Sequence, residues 1–231
     1  MISAIKENLL EINERIADAA KRSGRSAADV TLVAVSKVHP ASTILAAYEA
    51  GQRHFGENYA QELKEKHAAL KELTDIKWHF IGHLQRNKVK IAVSTGAIVE
   101  TVDSVRLAEA LNQQAERDGC ILPVLLQVNV GEEKQKSGAS PEALPALIED
   151  ISHLGRLVIK GLMTIPPYDL DSDETRKYFE SLRKLRDKNG GLDRLPYLSM
   201  GMSHDFEAAV EEGATHVRVG TAIFGGRLPK R

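Results

Sequence analysis

Eight short runs of mostly apolar, β-branched residues alternate with longer helical patterns along this chain. The runs are continuously apolar instead of alternating with polar residues, as the strands of a parallel sheet covered on both faces require. Periodicity does not distinguish a closed sheet from an open doubly wound one, but the count of eight favours an α/β fold of the (β/α)8 TIM barrel type. The predicted strands are residues 31–36, 54–57, 78–82, 97–102, 123–130, 157–164, 197–201 and 215–220. The predicted helices between them are residues 41–50, 59–73, 104–118, 141–152, 173–188 and 203–212.

An extra helix is predicted before the first strand. Its apolar residues are spaced alternately by three and four positions, which is typical of a helix packed on a domain. These residues are Ile2, Ile5, Leu9, Ile12 and Ile16. A length of 231 residues suits one barrel, and no linker divides the chain, so we expect residues 1–231 to form a single domain.

The charge and cysteine content narrow the class of protein. The formal net charge of −1 shows no bias toward nucleic acid or anionic membranes. A single cysteine, Cys120, cannot form an internal disulfide, and neither a secretory leader nor an apolar run long enough to span a bilayer is evident. The sequence therefore predicts a cytoplasmic protein without nucleic-acid or membrane partners, which we expect to be a monomer.

Polar residues follow several predicted strands, at the end of a TIM barrel where active sites lie. They are Lys37, Asn58, His83, Asp103, Asn129, Thr164, residues 199–203 and residues 218–221. Such barrels frequently bind phosphate with the loops after strands seven and eight, which here are the two Gly-, Ser- and Thr-rich segments. Ser203 is predicted to be a helix N-cap facing an anion, while Gly201 and Gly220 permit close backbone approach. The alternative is that both segments are ordinary tight turns.

Lys37 and Arg218 indicate which phosphate-bearing ligand this site would bind. An amine at the end of an apolar strand is partly desolvated, which favours the neutral form that attacks an aldehyde. Together with two phosphate turns, Lys37 predicts a Schiff base with pyridoxal 5′-phosphate (PLP). Arg218, within an apolar strand, needs an acceptor, which is either the pyridine nitrogen or a neighbouring carboxylate. Taken alone, a lysine such as Lys37 is more commonly an exposed residue at a strand end, and only its pairing with the phosphate turns favours the Schiff base.

Other polar clusters favour simpler interpretations. His79 and His83 share a predicted strand face, but no third ligand with suitable spacing is evident, so we interpret them as core or rim histidines instead of metal ligands. Residues 85–90, Lys134 and Lys136 are interpreted as solvated loop charges. Glu57 and Asp103 are interpreted as isolated acids at strand ends.

Six segments closely resemble the pyridoxal phosphate homeostasis protein family, in the family's order and over nearly the whole chain. They are residues 32–37 (LVAVSK), 54–59 (HFGENY), 78–88 (WHFIGHLQRNK), 161–164 (GLMT), 198–205 (LSMGMSHD) and 217–225 (VRVGTAIFG). The resemblance implies a fold-type III PLP-binding barrel, similar to the N-terminal barrel of bacterial alanine racemase. It also implies that Lys37 carries the Schiff base and that Arg218 faces the pyridine nitrogen. By the same resemblance, Ser203, Gly220 and Thr221 hold the phosphate, and Asn58, Ser199 and Met200 line the pocket.

The resemblance favours a carrier of PLP over an enzyme. Alanine racemase has a second, β-rich domain whose tyrosine supplies the opposite-face base, and we expect this chain, which ends at Arg231, to lack that domain. Tyr59 and Tyr168 stay open as replacements. We therefore expect a protein of PLP homeostasis that sequesters PLP and hands it to PLP-dependent apo-enzymes. The alternatives are a PLP-dependent amino-acid racemase of low activity and a Schiff-base aldolase acting on a phosphorylated sugar.

Overall fold

A computed structural model, which describes residues 2–133, 135, 137–167 and 170–226, contains a closed barrel of eight parallel strands in chain order. The first and last strands pair directly, with Thr31 opposite His216 and Val33 opposite Arg218. The prediction of a closed barrel is therefore confirmed, and the open-sheet alternative is wrong. The strands are β1 (Thr31–Val35), β2 (His54–Glu57), β3 (Lys77–Phe80), β4 (Ile98–Val102), β5 (Leu122–Gln127), β6 (Leu157–Met163), β7 (Tyr197–Ser199) and β8 (His216–Val219).

The helices cover the outside of this barrel. They are α1 (Ile2–Arg22), α2 (Ala41–Glu49), α3 (Ala60–Ala69), α4 (Val89–Ser94), α5 (Val105–Arg117), α6 (Leu144–Ser152), α7 (Ser172–Lys188), α8 (Gly191–Arg194), α9 (Phe206–Glu211) and α10 (Thr221–Phe224). Short 3₁₀ turns lie at Ala27–Asp29 and Arg86–Lys88. The interpretation of residues 85–90 as a loop is wrong, because a 3₁₀ turn leads there directly into α4, a helix too short to be recognised by its periodicity.

The predicted N-terminal helix is confirmed as α1. Ile5, Leu9, Ile12 and Ile16 are buried in the main hydrophobic core, and the side chain of Ile2 lies outside the described part of the chain. The helix packs against α9 and α10, the helices that follow β7 and β8. The Asn8 amide donates to the Ile223 carbonyl at 2.8 Å, and Arg15 pairs with Glu207 at 3.1 Å. Thus α1 holds in place the two helices behind the predicted phosphate turns.

Neighbouring strands approach closely at the barrel mouth, the end formed by the carboxyl ends of the strands. Gly82, just beyond β3, lies against the backbone of Asn58, just beyond β2. A side-chain carbon at residue 82 would fall 2.1 Å from the Asn58 carbonyl oxygen, so only glycine fits. The ends of β2 and β3 are thereby held together.

None of the helices in residues 2–133, 135, 137–167 and 170–226 combines the length and apolar character that crossing a bilayer demands.

Candidate cofactor site

Lys37 lies at the barrel mouth, beside the end of β8. It follows β1 by two residues and is half-buried. Because Ala34 pairs with Val219, the turn at Gly220 and Thr221 lies next to the exit of β1. A side-chain carbon on Gly220 would lie 3.2 Å from the Val35 carbonyl oxygen, which shows how closely the two segments approach. The structure therefore brings the predicted Schiff-base lysine and one predicted phosphate turn together.

The two predicted phosphate turns also contact each other. The Ser203 hydroxyl accepts a hydrogen bond from the Gly220 backbone N–H at 3.3 Å, joining the loop after β7 to the turn after β8. Gly201 has a φ of +92°, a conformation that favours glycine. The two turns thus form one polar surface, with the Ser203 hydroxyl between them.

The prediction that Ser203 is a helix N-cap is wrong. Helix α9 begins at Phe206, and Asp205 occupies the N-cap position. Instead of capping the helix, the Asp205 carboxylate accepts a hydrogen bond from the Met202 N–H at 2.5 Å, which closes the loop around Ser203. The hydroxyl of Ser203 therefore faces the turn after β8.

Arg218 lies buried at the base of the mouth. Its guanidinium donates to the Ser199 hydroxyl at 2.6 Å and to the Thr164 carbonyl at 2.8 Å. The Ser199 hydroxyl in turn donates to Glu100 at 2.5 Å. Glu100 thus balances the charge of Arg218 through a bridging hydroxyl.

The network continues across the barrel interior beyond Glu100. The other carboxylate oxygen of Glu100 lies 2.6 Å from His79, whose second ring nitrogen lies 2.9 Å from His54. TIM-barrel interiors are usually filled by branched apolar residues, so a network of polar side chains from β2 to β8 departs from that pattern. The interpretation of His79 as a core histidine is confirmed by its complete burial and two polar partners.

Burial and neighbouring charges set the protonation of this network. Burial lowers the pKa of His54 to about 4 and that of His216, which also lies near Glu100 and His79, to about 3. Burial alone would raise the pKa of Glu100, but the hydrogen bond from His79 and the charges of His79 and Arg218 hold that pKa well below its usual range. The Glu100 side chain is therefore a carboxylate anion inside the barrel.

We expect the protein to lose stability as the pH falls below about 6.5. The unfolded chain binds protons on His54 and His216 near their ordinary pKa, whereas the folded barrel takes them up only near pH 4 and pH 3. The free energy of unfolding at pH 5 should be lower than at pH 7.5 by roughly 2 to 3 kcal/mol, allowing for the solvent contact of His54. Urea unfolding followed by the fluorescence of buried Trp78 measures this difference.

Two variants provide controls for the pH dependence. His54→Asn should reduce the difference between pH 5 and pH 7.5, because it removes one of the two depressed groups. His153→Asn, at an exposed position on the surface, should leave the difference as it is in the unaltered protein. Equal unfolding free energies at both pH values would contradict the assignment.

A cavity of about 310 Å³ lies at the mouth on the side of β2 to β6. Its walls include Asn58, His83, Gln127, Asn129 and Ile165. The amide oxygen of Asn58 is buried and has no hydrogen-bond partner among the described residues. The same holds for one carboxylate oxygen of Glu57, whereas the corresponding oxygen of Asp205 lies 3.4 Å from the His204 ring. Unsatisfied buried oxygens near the mouth indicate a site built for a further polar group.

The remaining predicted site residues lie deeper or further away. Ser199 and Met200 are fully buried, and the Met200 side chain belongs to the main hydrophobic core. The Thr164 hydroxyl is buried and bonded to the Val128 carbonyl. Asp103 lines a separate cavity of about 330 Å³. Lys134, Lys136 and Tyr168 lie outside the described residues.

His83 and Glu57 do not lie as the sequence suggested. His83 is exposed beyond the end of β3 instead of sharing the strand with His79. Glu57 is not isolated, because it forms a buried ion pair with Lys66 at 2.8 Å. No group of three or more His, Cys, Asp or Glu side chains that could hold a metal occurs in the part of the chain that the structure describes.

Sequence reasoning missed Glu100, His54, His216 and Asp205. A signal existed for Glu100, which is the charged residue in the apolar run of residues 97–102. A charge in a strand buried on both faces requires a partner inside the barrel. The partners themselves could not be identified, because they come from four other strands.

Comparison with known proteins agrees with this fold. The family described as "Alanine racemase, N-terminal domain" matches residues 3–228. The pyridoxal phosphate homeostasis protein of Pseudomonas aeruginosa is 46% identical over 227 residues, covering 98% of this chain and 97% of that protein. PipY of Synechococcus elongatus, solved with PLP bound, is 42% identical with a TM-score of 0.83, covering 96% of this chain and all of PipY. Alanine racemase of Bartonella henselae, at 17% identity and a TM-score of 0.72, shares the fold over 99% of this chain and 61% of its own.

The barrel, with its lysine beside two Gly-rich turns, thus defines a protein of the class built on the N-terminal domain of alanine racemase. Within that class, the chain belongs to the pyridoxal phosphate homeostasis protein family.

Proposed function

We propose that this protein binds PLP as a Schiff base on Lys37 and acts in PLP homeostasis, by sequestering the cofactor and delivering it to PLP-dependent apo-enzymes. The observation that carries the proposal is the contact between the exit of β1, which bears Lys37, and the turns of Ser203 and Gly220. The reactive aldehyde and the phosphate of PLP require these two kinds of group side by side. Relatives more than 40% identical bear the name of this function, and PipY was solved with PLP.

The residues at the mouth have the chemistry that each part of PLP needs. The Ser203 hydroxyl and the backbone of Gly220 and Thr221 would hold the phosphate, and Lys37 would hold the aldehyde carbon. Arg218 would donate to the pyridine nitrogen, and Asn58, Ser199 and Met200 would complete the pocket. The amide oxygen of Asn58 supports this fit, because no donor within the described part of the chain bonds to it and a ligand donor could.

A carrier suits this site better than an enzyme. An arginine partner would leave the pyridine nitrogen of PLP unprotonated, which makes the ring a weaker electron sink than one paired with a carboxylate. Racemisation also needs a second base opposite Lys37. Among the tyrosines of the described residues, the Tyr48 hydroxyl is bonded to Asp75 and the Tyr197 ring lies against His216 in the barrel interior. Tyr59, at the N-cap of α3, is exposed and stays open as a second base. We propose a single-domain cytoplasmic monomer with PLP as its ligand.

Delivery can be tested with protein loaded with PLP and freed of excess ligand. An apo-enzyme that requires PLP is added together with a phosphatase that destroys free PLP. We expect the loaded protein to restore activity to the apo-enzyme under conditions in which the same amount of free PLP does not. Loaded protein whose Schiff base has been reduced with borohydride should restore none. If the phosphatase suppresses restoration equally for the loaded protein and for free PLP, the protein releases PLP into solution instead of delivering it.

A further inference from the structure

The backbone immediately after Lys37 is held in an unfavourable conformation. Val38 has a φ of +62°, in the left-handed region. This conformation is a genuine outlier for a β-branched residue and persists only where surrounding contacts stabilise it. Its position next to Lys37 means that the contacts holding Val38 also constrain the backbone that carries the lysine side chain.

The contact that holds Val38 comes from helix α3. The carboxylate of Glu62 accepts a hydrogen bond from the Val38 N–H at 2.7 Å. Glu62 itself pairs with Lys66, one turn later on the helix, at 2.8 Å. Lys66 is almost completely buried, so it fixes this carboxylate in one position.

Lys66 also holds the residue before Lys37. Its amine donates to the Ser36 carbonyl at 2.8 Å and to Glu57 at 2.8 Å. The Ser36 hydroxyl donates to the same oxygen of Glu57 at 2.6 Å. The backbone is therefore fixed on both sides of Lys37 by one group of three charged side chains, Glu57, Lys66 and Glu62, which we call the lysine clamp.

Stability alone does not account for the lysine clamp. A buried ion pair costs desolvation that its attraction often fails to recover, so apolar residues would stabilise the same space as well or better. Here one carboxylate oxygen of Glu57 is buried with no hydrogen-bond partner among the described residues, and burial raises the pKa of Glu57. Directional hydrogen bonds to Ser36 and Val38 are what the charged residues provide and apolar residues cannot.

We propose that Glu57, Lys66 and Glu62 are positioning residues for the Schiff base, because they force the backbone at Ser36 and Val38 into the conformation that aims the Lys37 amine into the mouth. The inference rests on the proposed function, in which Lys37 carries PLP. It assigns the clamp no contact with the phosphate turns, which lie after β7 and β8.

The test separates Schiff-base formation from binding of the phosphate. Schiff-base formation is measured from the visible absorbance of added PLP and from the borohydride-fixed label on Lys37. Binding without Schiff-base chemistry is measured with pyridoxine 5′-phosphate, in which an alcohol replaces the aldehyde. In Glu62→Ala we expect the equilibrium constant for Schiff-base formation to fall roughly tenfold. Backbone strain of the kind held at Val38 has a free-energy cost that corresponds to about that factor. Affinity for pyridoxine 5′-phosphate should stay within about twofold of the unaltered protein.

Two further variants serve as controls. Glu65→Ala removes an exposed carboxylate from the same helix. In the described residues, the side-chain hydrogen bond of Glu65 is to Gln61 alone, so this variant should form the Schiff base normally. Val38→Gly in the Glu62→Ala background should recover part of the loss, because glycine adopts a positive φ without strain. If Glu62→Ala does not fold, Glu62→Met, which nearly keeps the volume but offers no oxygen to accept the Val38 N–H, replaces it.

Each outcome separates the two proposals. A label on Lys37 that forms equally in Glu62→Ala and Glu65→Ala would overturn the clamp and leave the proposed function standing. Equal losses of Schiff-base formation and of pyridoxine 5′-phosphate affinity in Glu62→Ala would reduce the clamp to a general structural role. A label that the unaltered protein carries on another lysine would overturn the role of Lys37 and the inference with it.

Discussion

Replacing Lys37 with alanine is expected to abolish both the visible absorbance of bound PLP and the borohydride-fixed adduct. Alanine has no amine, and the other groups at the mouth bind without forming a covalent bond to the aldehyde. Ser203 and the backbone of Gly220 and Thr221 stay in place, so residual binding through the phosphate should persist. We expect the affinity for PLP to fall by about tenfold or more, corresponding to about 1.4 kcal/mol. Absorbance titration and mass spectrometry of the reduced protein measure the two effects.

A matched variant separates this loss from a general effect of removing a lysine. Lys71→Ala replaces an exposed lysine beyond the end of α3 and should keep both the absorbance and the adduct. An adduct of unchanged yield in Lys37→Ala would show that another amine carries PLP.

The second large effect is expected on stability, from Glu100→Gln. Glu100 is completely buried, and its charge balances that of Arg218 through Ser199. Glutamine keeps the size of the side chain but removes the charge that acts most strongly on the buried Arg218 guanidinium and leaves only the weaker interaction with Asp205. Removing one partner of a buried charged network costs about 3–5 kcal/mol, so we expect the free energy of unfolding to fall by that amount. Urea unfolding at pH 7.5 measures it.

The control for Glu100 is an acid on the neighbouring helix. Glu109→Gln changes an exposed residue of α5 and should alter the free energy of unfolding by less than about 0.5 kcal/mol. If Glu100→Gln were equally mild, the Arg218 charge would have to be balanced elsewhere, and the account of the barrel interior would be wrong.

The barrel could be predicted because its signal is local. Each strand is a continuous apolar run, and the end of each run predicts which residues reach the mouth. That is why Lys37, Asn58 and Gly220 could be selected before the structure was known. Helix α4 was not predicted, because six residues are too few to show a helical period. The start of α9 was predicted too early, because Asp205 and not Ser203 precedes its first turn.

The support for the site could not be predicted, because it depends on residues far apart in sequence. The hydrogen-bond network from His54 to Arg218 connects five strands, and nothing in any one strand specifies its partner across the barrel. The ion pair of Glu57 with Lys66 likewise depends on how α3 packs against β2. A buried charge in an apolar run predicts that a partner exists, and the fold decides which residue it is.

The measurement that tests the account most directly is borohydride reduction of the unaltered protein loaded with PLP, followed by mass mapping of the labelled peptide. The account predicts one label, on Lys37, and its formation should be prevented by prior occupation of the site with pyridoxine 5′-phosphate. A label distributed over several surface lysines, or insensitive to pyridoxine 5′-phosphate, would contradict the assignment of the barrel mouth as the PLP site.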